Sequence, residues 1–353
     1  MRTDGTAMGD RENSRDRCLA VAAVLCAICM PLLAGCGRVA PDYLDQASLA
    51  LERGDKAAAI SALRAHLQGA PESSYTRLKL AAMLRDSKPD EALEILGQVP
   101  PSDPKRIPAL QQIAIIQTIA GRTTDAEQTL QEMVAIEPEN LGAQLSLAEL
   151  YFRNKAPDAA LPHALEAARL APDRAQTFLL VAEIYDELHD YGAMVEPLEA
   201  AIAINPSYYE ARLNLAYAAH RIGKVALAEA QAKWCADANP RDVSPLRILA
   251  AVAREGGRFV DAKILLTKAL QLQPQEVDCR ILEADLLLYE RKPREAYERL
   301  KEVFDAERHT VRYLGALARA AASAGERDES RRLYQELENL LQESRKSVES
   351  KQF

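Results

Sequence analysis

The sequence predicts an all-α solenoid of about nine helix-turn-helix units, and three observations predict it. The first is a ladder of alanines spaced 34 residues apart with one slip. It runs Ala47, Ala81, Ala114, Ala148, Ala182, Ala216, Ala250, Ala284 and Ala318, and only the step from Ala81 to Ala114 is 33. The second is a further small residue twelve positions on in most units: Ala59, Ala126, Ala160, Ala228, Ala262, Ala296 and Ser330. The short second unit places Ala92 eleven positions on, and the fifth carries Met194. The third is proline near the end of the units, at Pro71, Pro104, Pro138, Pro172, Pro206, Pro240 and Pro274. A fixed period of this length means a stack of one supersecondary unit, in which each copy buries its apolar face against its neighbours.

Residues 141 to 174 illustrate the unit. Leu145, Leu147, Ala148 and Tyr151 share one stripe at helical spacing, and Ala160, Ala164, Leu165, Ala168 and Leu170 make a second. The break at Asn154–Pro157 divides them into two antiparallel helices of about three to four turns. Alanine is expected where the helices cross, because a larger side chain would hold the backbones apart. Proline ends each second helix, since it lacks an N–H and clashes with a preceding carbonyl.

The pairs Leu147-Ala148 with Tyr151, and Val181-Ala182 with Tyr185, followed by Ala160 and Pro172 in the first case, resemble the tetratricopeptide repeat (TPR) pattern. The resemblance spans about residues 40–344. Glu283, Gln117 and Arg308 depart from it at an apolar, an aromatic and a proline position. An armadillo-type array would need longer repeats, of about 40–47 residues. The resemblance implies a right-handed superhelical α-solenoid whose first helices line a concave groove, with positions 2, 5, 9, 12 and 13 of each unit facing it. The groove residues it selects for partner binding are Glu149, Phe152, Glu183, Asp186, Tyr217, His220, Arg221, Arg247, Arg254, Asp285 and Tyr289. They pass from an acidic and apolar stretch into a basic one, and a peptide of opposite polarity would fit. The carboxylate clamp of chaperone-binding relatives is not implied, because the unit before Asn214 supplies Leu179 and Glu183, which cannot clamp a carboxylate.

The N-terminus carries a separate signal. Arg15 and Arg17 precede an uncharged run from Cys18 to Ala34, interrupted by Pro31. Its length suits a signal-peptide core and is marginal for a spanning helix. Leu33-Ala34-Gly35-Cys36 resembles a bacterial lipobox, which implies cleavage before Cys36 and lipidation of its thiol. The expected division is a lipoprotein-type signal peptide over 1–35, the lipidated cysteine and a short linker over 36–39, the TPR array over 40–344 and a polar tail over 345–353. An uncleaved anchor helix is the other reading. Both place the array outside the cytoplasm and tie it to a membrane of the bacterial envelope, facing the periplasm or exterior. Gly37 stands where inner-membrane retention in enteric bacteria uses Asp, which points toward the outer membrane. The remaining cysteines, Cys235 and Cys279, lie in different units, and Cys235 occupies a small packing position.

Composition narrows the function classes. A formal net charge of −8 argues against a nucleic-acid partner. The five histidines are scattered, without HExxH spacing, a G-x-S-x-G elbow or a metal-ligand pattern, so no enzyme, cofactor or metal is expected. Two functions follow. One is a membrane-anchored extracytoplasmic scaffold that binds protein partners during assembly of an envelope machine: a pilus, a secretion system or an exopolysaccharide exporter. The alternative is a periplasmic polysaccharide-binding or carrier module, with Phe152, Tyr217 and Tyr289 as stacking platforms.

Overall fold

A computed structural model describes residues 42–302 and 310–349. The expected signal peptide, Cys36, the linker, Arg308 and the last four residues lie outside them. Among the described residues there are 18 helices and no strand, paired as nine hairpins. The described residues form two compact units, divided between residues 132 and 133.

The first unit holds α1 (Tyr43–Glu52), α2 (Lys56–Gly69), α3 (Ser74–Leu84), α4 (Pro89–Gly97) and α5 (Arg106–Ile119). It also holds most of α6 (Thr123–Ile136), which runs across the boundary. The second unit continues with α7 (Leu141–Arg153), α8 (Pro157–Leu170), α9 (Ala175–Glu187), α10 (Val195–Ile204), α11 (Tyr209–Arg221) and α12 (Val225–Ala238). It ends with α13 (Val243–Glu255), α14 (Phe259–Leu272), α15 (Val277–Tyr289), α16 (Pro293–Lys301), α17 (Val311–Ala324) and α18 (Arg327–Glu349). Helix α18 runs five residues beyond 344, where the array was expected to end.

Every rung of the alanine ladder is buried, from Ala47 through Ala318, and so is each of its partners, Met194 and Ser330 included. The periodic small residues therefore do mark the contacts between helices, where close backbone approach needs a methyl. The unit read over 141–174 needs one correction. Leu165 is 44% exposed, and Ala167 is fully buried on that turn in its place.

Eight of the nine hairpins turn through a residue with positive φ at the fifteenth position of the repeat. Gly54, Gly121, Gly223, Gly257 and Gly325 occupy it, and Lys155, His189 and Arg291 adopt it without being glycine, at φ 57–60°. Only the second repeat lacks it: Lys88 has φ −146° and Pro89 starts α4 at once. The missing residue of the 33-spaced step is thus in that turn. Pro104 also departs from expectation, because α4 has already ended at Gly97. Pro100 and Pro101 follow within the next residues and disfavour helical backbone before them, so Pro104 has no helix left to stop.

Where a unit starts with a capping residue, its side chain does the capping. Ser73, Asn140, Asp242, Glu276 and Thr310 each accept a hydrogen bond from a backbone N–H in the first turn of the next helix. Ion pairs also join successive hairpins: Arg64 with Glu91, Arg122 with Asp90 at 2.5 Å, Arg169 with Glu139 at 3.0 Å and Arg258 with Glu229 at 3.0 Å. Pairs as exposed as these contribute about 0–1 kcal/mol each, so the buried alanine contacts dominate. Among the described residues no helix is long and apolar enough to cross a membrane.

Candidate functional site

Within the second unit, the first helices of successive hairpins supply the surface that the repeat pattern selects. Helices α11, α13, α15 and α17 pack each against the next of the series. Side chains of adjacent helices face one another there, and cavities form between them, among them one between α7 and α9, one at α11 and α13, and one lined by Asp278 and Ile281 of α15 with Arg312 of α17.

The first cavity lies between α7 and α9, has a volume of about 380 Å³, and brings Glu149, Phe152 and Glu183 together. Leu145, Leu179 and Leu180 form its apolar wall; Arg153, Arg174 and Tyr208 complete the rim. Burial holds the Glu183 carboxyl above the usual carboxylate range, and the charge of Asp186 one turn on adds to this. Asp186 is raised as well, by burial first and by Glu187 in addition, with His189 and Arg221 opposing. Glu183 is thus a partly desolvated carboxyl, whose charged form a nearby cation would favour.

The second cavity, of about 360 Å³, joins Tyr217, His220 and Arg221 of α11 to Arg247 and Arg254 of α13, and Arg312 of α17 reaches its edge. Ile248, Ala251 and Leu282 supply the apolar part of its lining. His220 Nε2 lies 3.1 Å from Glu255 Oε2. Arg221 donates to the Tyr217 hydroxyl at 2.9 Å, and its guanidinium sits 4.1 Å from the centre of the Tyr191 ring. Tyr191 and Tyr217 meet edge to face at 5.7 Å. Tyr191 lies in the α9–α10 connection, off the helical stripe, and sequence periodicity gave no reason to select it.

The basic end of the surface differs from expectation. Asp278 stands between Arg247, at 3.1 Å, and Arg312, at 2.8 Å. Asp285 stands between Arg254, at 2.9 Å, and Arg319, at 3.6 Å. Two charge ladders thus cross α13, α15 and α17 side by side. Asp285, selected as a partner contact, spends its charge inside the protein. Tyr289 sits apart from the other selected residues. It is 67% exposed and stacks on Phe259 of α14 with ring centroids 4.2 Å apart. Phe259 borders a different concavity with Val260, Lys263 and Ile264, formed by a second helix of a hairpin. Position 13 ends the first helix, and its side chain lies against the second helix of the preceding hairpin. Phe152, Tyr217 and Tyr289 consequently share no cavity.

Both remaining thiols are buried. Burial pushes Cys235 up to about 11 and raises Cys279 further, which fits packing residues and not nucleophiles. Among the described residues no group of three or more His, Cys, Asp or Glu is placed to hold a metal ion.

Residues 118–184 match the family model described as tetratricopeptide repeat. No curated protein matches the chain. Among solved structures it is similar to a tetratricopeptide repeat protein from Parabacteroides merdae, at 15% identity over 85% of this chain and 99% of that one, with a TM-score of 0.45. It is similar to PilW, described as a widely conserved type IV pilus biogenesis factor, at 22% identity over 57% and 93%, TM-score 0.46. It is also similar to YrrB, described as a TPR protein with an unusual peptide-binding site, at 15% identity over 48% and 88%, TM-score 0.46.

Proposed function

We propose that the chain is a TPR scaffold that binds a protein partner along the first-helix surface of its second unit. We place it at a bacterial membrane, outside the cytoplasm and held by lipidated Cys36, where it takes part in assembling an envelope machine such as a pilus, a secretion system or an exopolysaccharide exporter. The observation that carries the binding reading is two of the cavities on that surface. One is apolar with acidic Glu149 and Glu183, the other apolar with four guanidiniums. Recesses that each combine apolar and charged groups suit a polypeptide, whose side chains offer both. The anchor rests on the lipobox resemblance at Leu33–Cys36.

Photo-crosslinking in cells tests this reading. A photoreactive residue at Phe152 or Tyr217 should yield a discrete protein adduct, and the same residue at Val260, on the other concavity, should yield none. Adducts of equal strength from all three positions, or a polysaccharide smear from the first two, would reject it.

A further inference from the structure

The second cavity has more positive charge than the protein itself neutralises. Arg221, Arg247, Arg254 and Arg312 line it, while Glu255 is the one carboxylate in its lining. With the ladder residues included, Arg221, Arg247, Arg254, Arg312 and Arg319 face Asp278, Asp285 and Glu255. Five guanidiniums against three carboxylates leave an excess of two positive charges, offset only in part by Asp186, whose charge acts on Arg221 from beyond 4 Å, in a chain whose formal charge is −8.

The surplus has an address. Each of the other four arginines lies within ion-pair distance of an aspartate. Arg221 is held by aromatic rings instead, stacked over Tyr191 and hydrogen-bonded to Tyr217. Among the described residues no carboxylate comes within 4 Å of it. Ring faces orient a guanidinium without cancelling its charge. Arg254 adds a buried Nε with no hydrogen-bond partner. Beside these donors lie the buried side chains of Ile248, Ala251 and Leu282.

Resting on the protein-binding reading above, we infer that this cavity is a receptor for a peptide carboxylate carried next to an apolar side chain. A guanidinium fork matches the two oxygens of a carboxylate. The apolar floor selects a ligand with a hydrocarbon stem beside its charge, which a free inorganic anion lacks. The carboxylate comes from an acidic side chain or from a C-terminus.

The probe is a fluorescent octapeptide of alternating leucine and glutamate, titrated against the full chain by anisotropy. Its comparators are the C-terminally amidated form, the glutamine counterpart and a phosphoserine counterpart. We expect the glutamate peptide to bind about tenfold or more tightly than the glutamine peptide and to weaken as salt is raised. Arg221→Gln should reduce its affinity about tenfold or more. Arg312→Gln, at a side chain 66% exposed, should weaken binding without touching the core. Arg258→Gln, whose native partner is Glu229, should leave binding unchanged. Loss on amidation assigns the receptor to a C-terminal carboxylate, and retention assigns it to an acidic side chain; either supports the inference.

Equal binding of the glutamate and glutamine peptides would overturn it, as would no binding of either, or unchanged affinity in both Arg221→Gln and Arg312→Gln. So would a phosphoserine peptide binding over tenfold more tightly, which would mark a phosphate site. If both peptides bind equally and Phe152→Ala abolishes both, the protein-binding surface stands and only the carboxylate assignment falls.

Discussion

Ala216→Trp tests whether the 34-residue period marks helix crossings. Ala216 is completely buried on α11 and packs in a cluster with Ala219 of its own helix, Ala228 and Ala232 of α12, and Ile248, Leu249 and Val252 of α13. Three helices therefore close around one methyl group, and the fully buried neighbours on α12 are themselves alanines, with Leu227 at the edge of the cluster. Overpacking a close-packed site costs about 1–3 kcal/mol, and an indole belongs at or above the top of that range. With a urea dependence of about 1–3 kcal/mol per molar, a loss of about 3 kcal/mol lowers the midpoint by about 1–3 M. Repeat arrays gain stability from neighbour contacts, so the loss should spread to the hairpins on both sides. The control is Ala226→Trp, an exposed alanine on α12. Surface changes of that kind stay within about 0.5 kcal/mol. Urea unfolding followed by far-UV circular dichroism gives both midpoints. If Ala216→Trp unfolds at the same urea concentration as Ala226→Trp, the small residues are not packing rungs and the reasoning from period to crossing fails.

Other perturbations address the charges, the thiols and the anchor. The Arg258 hydrogen bond, followed by that of Lys233, holds the Glu229 carboxyl down at about 2. A depressed carboxylate stabilises the fold above its unfolded value of about 4.3, and that contribution disappears as pH falls through about 2. Wild type should therefore exceed Glu229→Gln in urea midpoint near neutral pH and converge on it as pH drops from about 4 to about 2; a gap independent of pH would contradict the ion-pair account. In a chain whose cysteines are reduced to Cys235 and Cys279, both thiols should resist Ellman's reagent in the native state and react at once in denaturant. Labelling at equal rates in the two states would show that they are not core residues. Cys36→Ser should release a folded array from the membrane fraction or leave unprocessed precursor, and unchanged fractionation and migration would remove the lipobox from the proposal.

The array was legible in the sequence because burial against a neighbour imposes a local rule that repeats. Where two helices touch at the same place in each unit, only a small side chain fits, and the alanine ladder records that constraint nine times. The hairpin turns were legible in part. Glycine marks five of the eight left-handed positions, while Lys155, His189 and Arg291 take the same backbone form with nothing in their identity to signal it. The end of α4 was misread from Pro104 because Pro100 and Pro101 act first, and a periodic pattern does not show which of several breakers is decisive.

Period and position also selected most of the candidate surface. Glu149, Phe152 and Glu183 do meet in one cavity, and Tyr217, His220, Arg221, Arg247 and Arg254 in another. What periodicity could not supply is how charges distribute between adjacent helices. Arg254 and Asp285 stand 31 residues apart, and whether they pair or face a partner depends on the offset of α13 against α15. That offset comes from packing of the buried faces, not from either stripe alone. Tyr289 follows the same logic: the end of a helix leaves its last side chain free to stack on whichever ring lies nearest, and that ring is Phe259. The sequence by itself thus determined the unit, its register and the candidate face, because each follows from contacts repeated at a fixed interval. Only the tertiary structure decided which charges are spent internally and which, like that of Arg221, have no carboxylate within ion-pair distance, because pairing depends on distances of a few ångströms between helices far apart in the chain.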